Sequence, residues 1–152
     1  MKLEAEPFFN AITARGGVIE AKITGPRRIS VTVAPENYHS FVEFLVKSGI
    51  DHIITASWSD NGKELEIMLH MGRSVVVTTR TVLGLENPEL DSLTDVLPAI
   101  TFLEREINDL VGVRYRNHPG LSRIMLPEDW PKDVFPMRKS FTPKTPEPLR
   151  RT

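Results

Sequence analysis

The feature that most restricts this chain is a helical periodicity that stops at Gly112 and gives way to an irregular, basic, proline-bearing run. Leu103, Ile107, Leu110 and Val111 fall at the i, i+4, i+7 and i+8 positions of one face, with Glu104, Arg105, Asn108 and Asp109 off it. Gly112 stands where a left-handed C-terminal cap falls. From Arg114 to Pro127 the periodicity is gone, yet Leu121, Ile124, Met125 and Leu126 still need cover. Any fold for this chain has to end a helix and then bury parts of a coil.

The chain upstream supplies the elements for that. Glu4 to Arg15 reads as a short helix with Phe8, Phe9 and Ile12 on one side, ended by Gly16-Gly17. Val18 to Ile23 and Ile29 to Val33 alternate as two strands across the Gly25-Pro26 turn, and should pair. Pro35 opens a second helix whose stripe is Phe41, Phe44 and Leu45, closed by Gly49. Ile50 to Trp58 reads as a strand, and Asp60-Asn61-Gly62 is a hairpin signal leading into Leu65, Ile67 and Leu69. Gly72-Arg73 turns back into a strand at Ser74 to Thr79. Residues 83–95 read as a loop, residues 96–111 as the last helix, and Ile124 to Leu126 as a short strand or turn. The order is that of an α+β fold, a mostly antiparallel sheet with helices packed on one face, followed by an extended, proline-rich, basic C-terminal tail. The division expected is an α+β domain over residues 1–126 and a tail over 127–152 that binds a partner and is flexible alone from Lys132 onward.

Charge separates the same two regions. Residues 1–112 hold 10 Lys/Arg against 16 Asp/Glu, a net of −6, whereas residues 113–152 hold 9 against 4, a net of +5, with 7 of the 12 prolines. Such a tail suits nucleic acid, an acidic protein or a membrane surface. There is no cysteine, which excludes disulfides, Cys-ligated iron–sulfur clusters and a thiol nucleophile in this chain. No apolar run approaches the roughly 20 residues that span a bilayer. The acidic N-terminus is unlike a signal peptide. A cytoplasmic chain that meets a membrane only through partners is therefore expected.

Chemistry-bearing residues are few. His118, with Glu104, Glu106 and Asp109 near in sequence, reads as a loop residue fixing the turn before Pro119, with a general base or metal ligand as the alternative. Arg105 and Asp109, four apart, can pair along the helix, and the helix acids can hold Arg114, Arg116 or Arg123 as the chain folds back. Trp130, Phe135, Met137 and Phe141 lie among prolines and basic residues, apt for interface anchors. No phosphate-binding glycine loop and no RNA-binding motif is present.

Read together, Glu104-Arg105-Glu106, Asp109, Gly112, His118-Pro119, Leu121, Arg123-Ile124, Pro127-Glu128-Asp129-Trp130 and Arg138-Lys139 form a signature over about residues 97–141. It resembles the C-subunit family of respiratory complex I, the NADH:quinone oxidoreductase. Val111 and Asn108 stand where that family tends to have aromatics, and Asp133 to Met137 replaces a Gly-His-Pro-Leu. These departures fit the version of the protein found in energy-converting membrane-bound hydrogenases and ferredoxin-linked archaeal oxidoreductases. The resemblance implies a non-catalytic assembly subunit of a complex-I-like redox machine coupled to ion translocation, on the cytoplasmic side of the membrane. It implies docking on a large catalytic subunit beside a small iron–sulfur subunit, with no nucleic acid bound. It implies no cofactor in this chain, and iron–sulfur clusters and a nickel–iron centre in partner subunits. The residues implied at the contact are Glu104, Arg105, Glu106, Asp109, Gly112, His118, Pro119, Arg123, Trp130, Arg138 and Lys139. A freestanding protein- or nucleic-acid-binding domain with a basic tail is the alternative.

Overall fold

The computed structural model describes residues 5–143. Its elements run α1 (Glu6–Thr13), β1 (Val18–Gly25), β2 (Arg28–Val33), α2 (Tyr38–Lys47), β3 (Ile53–Asp60), β4 (Glu64–Gly72), β5 (Val76–Gly84), β6 (Glu89–Asp91), α3 (Thr101–Val111) and β7 (Arg114–Arg116). The five long strands form one sheet in the order β1-β2-β5-β4-β3. Three of its pairings are antiparallel, and β2 runs parallel to β5. The fold is α+β, as the order of periodicities implies.

Strict alternation gives the sheet one apolar face. Ile29, Val31 and Val33 on β2, Leu65, Ile67, Leu69 and Met71 on β4, and Val77 and Leu83 on β5 are all buried. Helix α1 covers this face with Ile12, α2 with Tyr38, Phe41, Val42 and Leu45, and α3 with Ile107 and Val111. Phe41 is fully buried, so its truncation to Ala would cost about 3–5 kcal/mol. The residues between, among them Ser30, Thr32, His70, Thr78 and Arg80, face the other way and stay half-exposed.

The structure refines the sequence expectation at several points, each for a local reason. Helix α3 begins at Thr101 after a single 3-10 turn at Pro98–Ile100, rather than at residue 96. Leu97 precedes a proline and is held out of the helical region at φ −138°, ψ 77°. The stretch 83–95 contains β6, which pairs in parallel with β7 as Glu89↔Arg114, Leu90↔Tyr115 and Asp91↔Arg116. A three-residue strand shows only one alternation, too little to separate it from loop. Residues Ile124 to Leu126 form a bend, the turn rather than the strand of the two expected, because their amides are taken by a side chain of α3.

Beyond Pro127 the chain returns across the end of α3. The Met137 amide donates to the Leu110 carbonyl at 3.1 Å, and the Lys139 amide donates to Asp60 Oδ2 at 2.9 Å, at the β3–β4 turn. The Trp130 and Phe141 rings lie 6.1 Å apart. The tail's last prolines, Pro146 and Pro148, lie outside the described residues.

Candidate functional site

The signature residues converge on α3, and the structure uses most of them within the chain. Two acids that periodicity puts on the polar face are buried. Glu104 is 2% exposed: its Oε1 accepts from the Leu93 amide at 2.8 Å and its Oε2 from the Ser92 hydroxyl at 2.6 Å. Burial pushes this carboxyl up to about 7, against the two hydrogen bonds that favour its charge. The phenols of Tyr38 and Tyr115, both buried, are pushed up by burial first and further by the charge of Glu104. Beside this carboxyl, a polar cavity of about 430 Å³ opens over Ser92, rimmed by a hydrogen bond between His39 and Asp95.

Five residues on, Asp109 has the opposite environment. Its Oδ2 accepts from three successive amides, Ile124 at 3.1 Å and Met125 and Leu126 at 2.8 Å. Burial raises this carboxyl, but the three donors and the nearby Arg123 outweigh it, and the net shift is downward. Arg105, between the two acids, donates to the carbonyls of Ser122 and Arg123 and to the Ser122 hydroxyl, and lies over the Phe102 ring. Thus the helix holds the irregular coil by its backbone, at both donors and acceptors.

His118 sits at the joint. Its imidazole is buried, accepts from the Gly120 amide at Nδ1 (3.0 Å) and donates from Nε2 to the Thr101 carbonyl (3.2 Å), 3.9 Å from Glu104. Both nitrogens are occupied by backbone of the same chain, so the ring has no lone pair to offer a substrate or a metal. It fixes the turn before Pro119, which is exposed. Among the described residues no three His, Asp or Glu side chains converge to hold a metal ion.

The far end of α3 is closed by the tail. Gly112 adopts φ +81°, and a Cβ there would come within 2.5 Å of the Phe135 ring, so glycine serves both the cap and the contact. Arg138 lies over that ring and donates to the carbonyls of Val111 and Leu85. Phe135 and Arg138 therefore find partners that the tail's composition does not announce. Trp130 donates to the Val134 carbonyl at 2.8 Å, and Arg123 to the Pro127 carbonyl at 3.0 Å. Lys139 is exposed, and Glu106 is half-exposed with no partner among the described residues.

The expected ion pairs are not the ones made. Arg105 does not pair with Asp109; each binds backbone of the coil instead. Arg114 pairs with Glu89 and Arg116 with Asp91 across the β6–β7 ribbon, not with the acids of α3. Ser92, Ser122 and Phe102 carry no signal in the sequence that singles them out. Nothing local marks Ser92 as the partner of an acid 12 residues later.

The family model described as "Respiratory-chain NADH dehydrogenase, 30 Kd subunit" matches residues 31–147. The chain belongs to that family. Over 147 residues it is 29% identical to the C subunit of the F(420)H(2) dehydrogenase of Methanosarcina mazei, covering 91% of this chain and 92% of that protein. With the C/D subunit of the NADH-quinone oxidoreductase of Phocaeicola vulgatus it shares 35% identity over 100 residues, which is 62% of this chain but only 18% of that longer protein. A chain in the membrane-bound sulfane sulfur reductase, an archaeal respiratory membrane complex, superposes with a TM-score of 0.82 at 19% identity, over 91% of this chain and 86% of the other. That likeness is one of fold.

Proposed function

We propose that this family member is a non-catalytic assembly subunit of a complex-I-like membrane-bound redox complex, docking on the large catalytic subunit. The end-to-end match to the F(420)H(2) dehydrogenase protein supports this reading over one based on the NADH-linked relatives alone. The observation that carries the docking surface is a matter of exposure. Of six exposed large apolar side chains among the described residues, Phe102, Ile124, Met125 and Met137 all lie on α3, its coil or the tail. Asp109 holds the backbone that presents Ile124 and Met125, Gly112 admits the Phe135 ring under the tail, and Glu104 and His118 tie α3 to its neighbours. Glu106 and Lys139, which are not buried, meet the partner directly. Arg105, Arg123 and Arg138 are spent on carbonyls of this chain, which counts against a nucleic-acid site. Electron transfer then belongs to iron–sulfur and nickel–iron centres of partner subunits, with this chain at the cytoplasmic face of the membrane. No helix of the described residues is long and apolar enough to cross a bilayer.

The test is co-purification of the large subunit with Phe102→Ala and Met125→Glu variants of this chain. Capture should fall at least tenfold while the thermal midpoint of the free variant stays within a degree or two of the parent, since both side chains are exposed. Variants that assemble normally but abolish turnover would assign these residues a chemical role and overturn the docking reading.

A further inference from the structure

The side of the sheet turned away from the three helices carries a feature that neither the family nor the signature accounts for. A cavity of about 540 Å³ lies there, its wall more apolar than polar, lined by Thr24, Ser30, Thr55 and Thr78, by Arg28 and by His70. The cavity lies across the width of the sheet, because β2 pairs with β5 as Ser30↔Thr78 and β4 pairs with β5 as His70↔Thr78.

Its charge is one-sided. Arg28 is the one lining side chain with a permanent charge, no carboxylate lines the cavity, and Arg28 makes no ion pair among the described residues. Two acids of the sheet are already matched, Glu20 with Lys22 and Glu66 with Arg80. His70 is held from both sides, Nε2 lying 3.0 Å from the Ser57 hydroxyl and Nδ1 3.0 Å from that of Thr78. Burial pushes the ring down, toward its uncharged form. An uncharged imidazole donates through one nitrogen and accepts through the other. One of the two hydroxyls therefore receives the ring's N–H, which leaves its own proton free for a ligand. Ile54, half-exposed on the β3 bulge, and Val76 add an apolar wall.

We propose that this cavity binds a small organic oxyanion, a phosphate or carboxylate borne on a short apolar body. The guanidinium fork of Arg28 matches two oxygens of such a group, the hydroxyls of Thr24, Ser30 and Thr78 supply further donors while that of Thr55 donates to the Ala56 carbonyl, and the body lies on Ile54 and Val76. The cavity faces away from α3, so the assignment is independent of the docking surface.

A titration of the full chain with phenyl phosphate, followed by NMR, tests this. Saturable shifts are expected at the His70 ring and at the Ser30 and Thr78 amides. The His70 titration midpoint should rise on binding, because the anion favours the charged ring. Phenol should give no saturable shift. Arg28→Gln should weaken binding at least tenfold without moving the thermal midpoint, and Lys63→Gln, on the β3–β4 turn, should leave it unchanged. Three results would each overturn the proposal: no saturation in the millimolar range, equal binding by Arg28→Gln, or phenol binding as tightly as its phosphate.

Discussion

The two ends of α3 each bury a carboxylate, and they do it in opposite ways. At the first turn, Glu104 receives one amide and one hydroxyl and is pushed up to about 7, burial prevailing. At the last turns, Asp109 receives three amides and is pulled below its ordinary range, donors prevailing. Glu104 lies deeper and has fewer N–H groups aimed at it than Asp109, and both differences push the two charge states apart. The consequence is a division of labour. Asp109 is a permanently charged staple on the coil that presents Ile124 and Met125. Glu104 is an acid that changes charge near neutrality, beside the cavity over Ser92.

The largest effect should come from the staple. Asp109→Ala leaves three amides without their acceptor, and the cost should be roughly 3–4 kcal/mol, the coil's access to water keeping it below the sum of three buried losses. Asp109→Asn keeps one acceptor oxygen and should cost about half as much. Urea unfolding of both variants measures this. If the alanine variant matches the parent, the three bonds add nothing to the fold and the two ends of α3 are equivalent.

Next in size is the pH response of Glu104. Its folded value of about 7 lies above the ordinary 4.5, so the folded chain holds a proton that the unfolded chain has released between those values. Its contribution is at its most favourable below 4.5 and is lost as pH rises through about 7. The loss amounts to about 3 kcal/mol. Asp109 acts the other way, its contribution fading only in acid, as pH falls through its lowered value. Denaturation curves at a series of pH values should therefore show a decline toward pH 8 in the parent that Glu104→Gln removes. An unchanged decline in that variant would place the titrating group elsewhere.

The sequence reveals the sheet far better than it reveals this contrast. Alternation on β2 and β4, the Asp60-Asn61-Gly62 turn and the Gly112 cap are local signals, and all reappear in the fold. The β6–β7 pairing joins residues 25 apart through strands of three, where alternation carries almost no information. Glu104 and Asp109 both read as acids that hold arginines of the returning chain, since their actual partners are mostly backbone amides, which leave no mark in side-chain chemistry. The resemblance across residues 97–141 singles out positions whose side chains are mostly bonded within the chain. The charges of Arg105 and Asp109 are turned onto the coil and that of Glu104 onto Ser92 and Leu93, while Glu106 and Lys139 stay open to solvent.

The smallest effect on the fold should belong to the third acid of the same helix. Glu106 lies between the other two in sequence, half-exposed and without a partner among the described residues. Glu106→Ala should change the stability of the free chain by less than about 0.5 kcal/mol, as for a surface substitution clear of any packed or bonded group. If Glu106 faces the large subunit, the same change should still weaken co-purification, because a charge desolvated against a partner leaves its counterpart unpaired when it is removed. A variant that is neutral in both measurements would make Glu106 a solvated residue and confine the role of α3 to holding the coil. A loss of capture with unchanged unfolding would divide the three acids by what they touch: Glu104 the domain, Asp109 the coil, and Glu106 the partner.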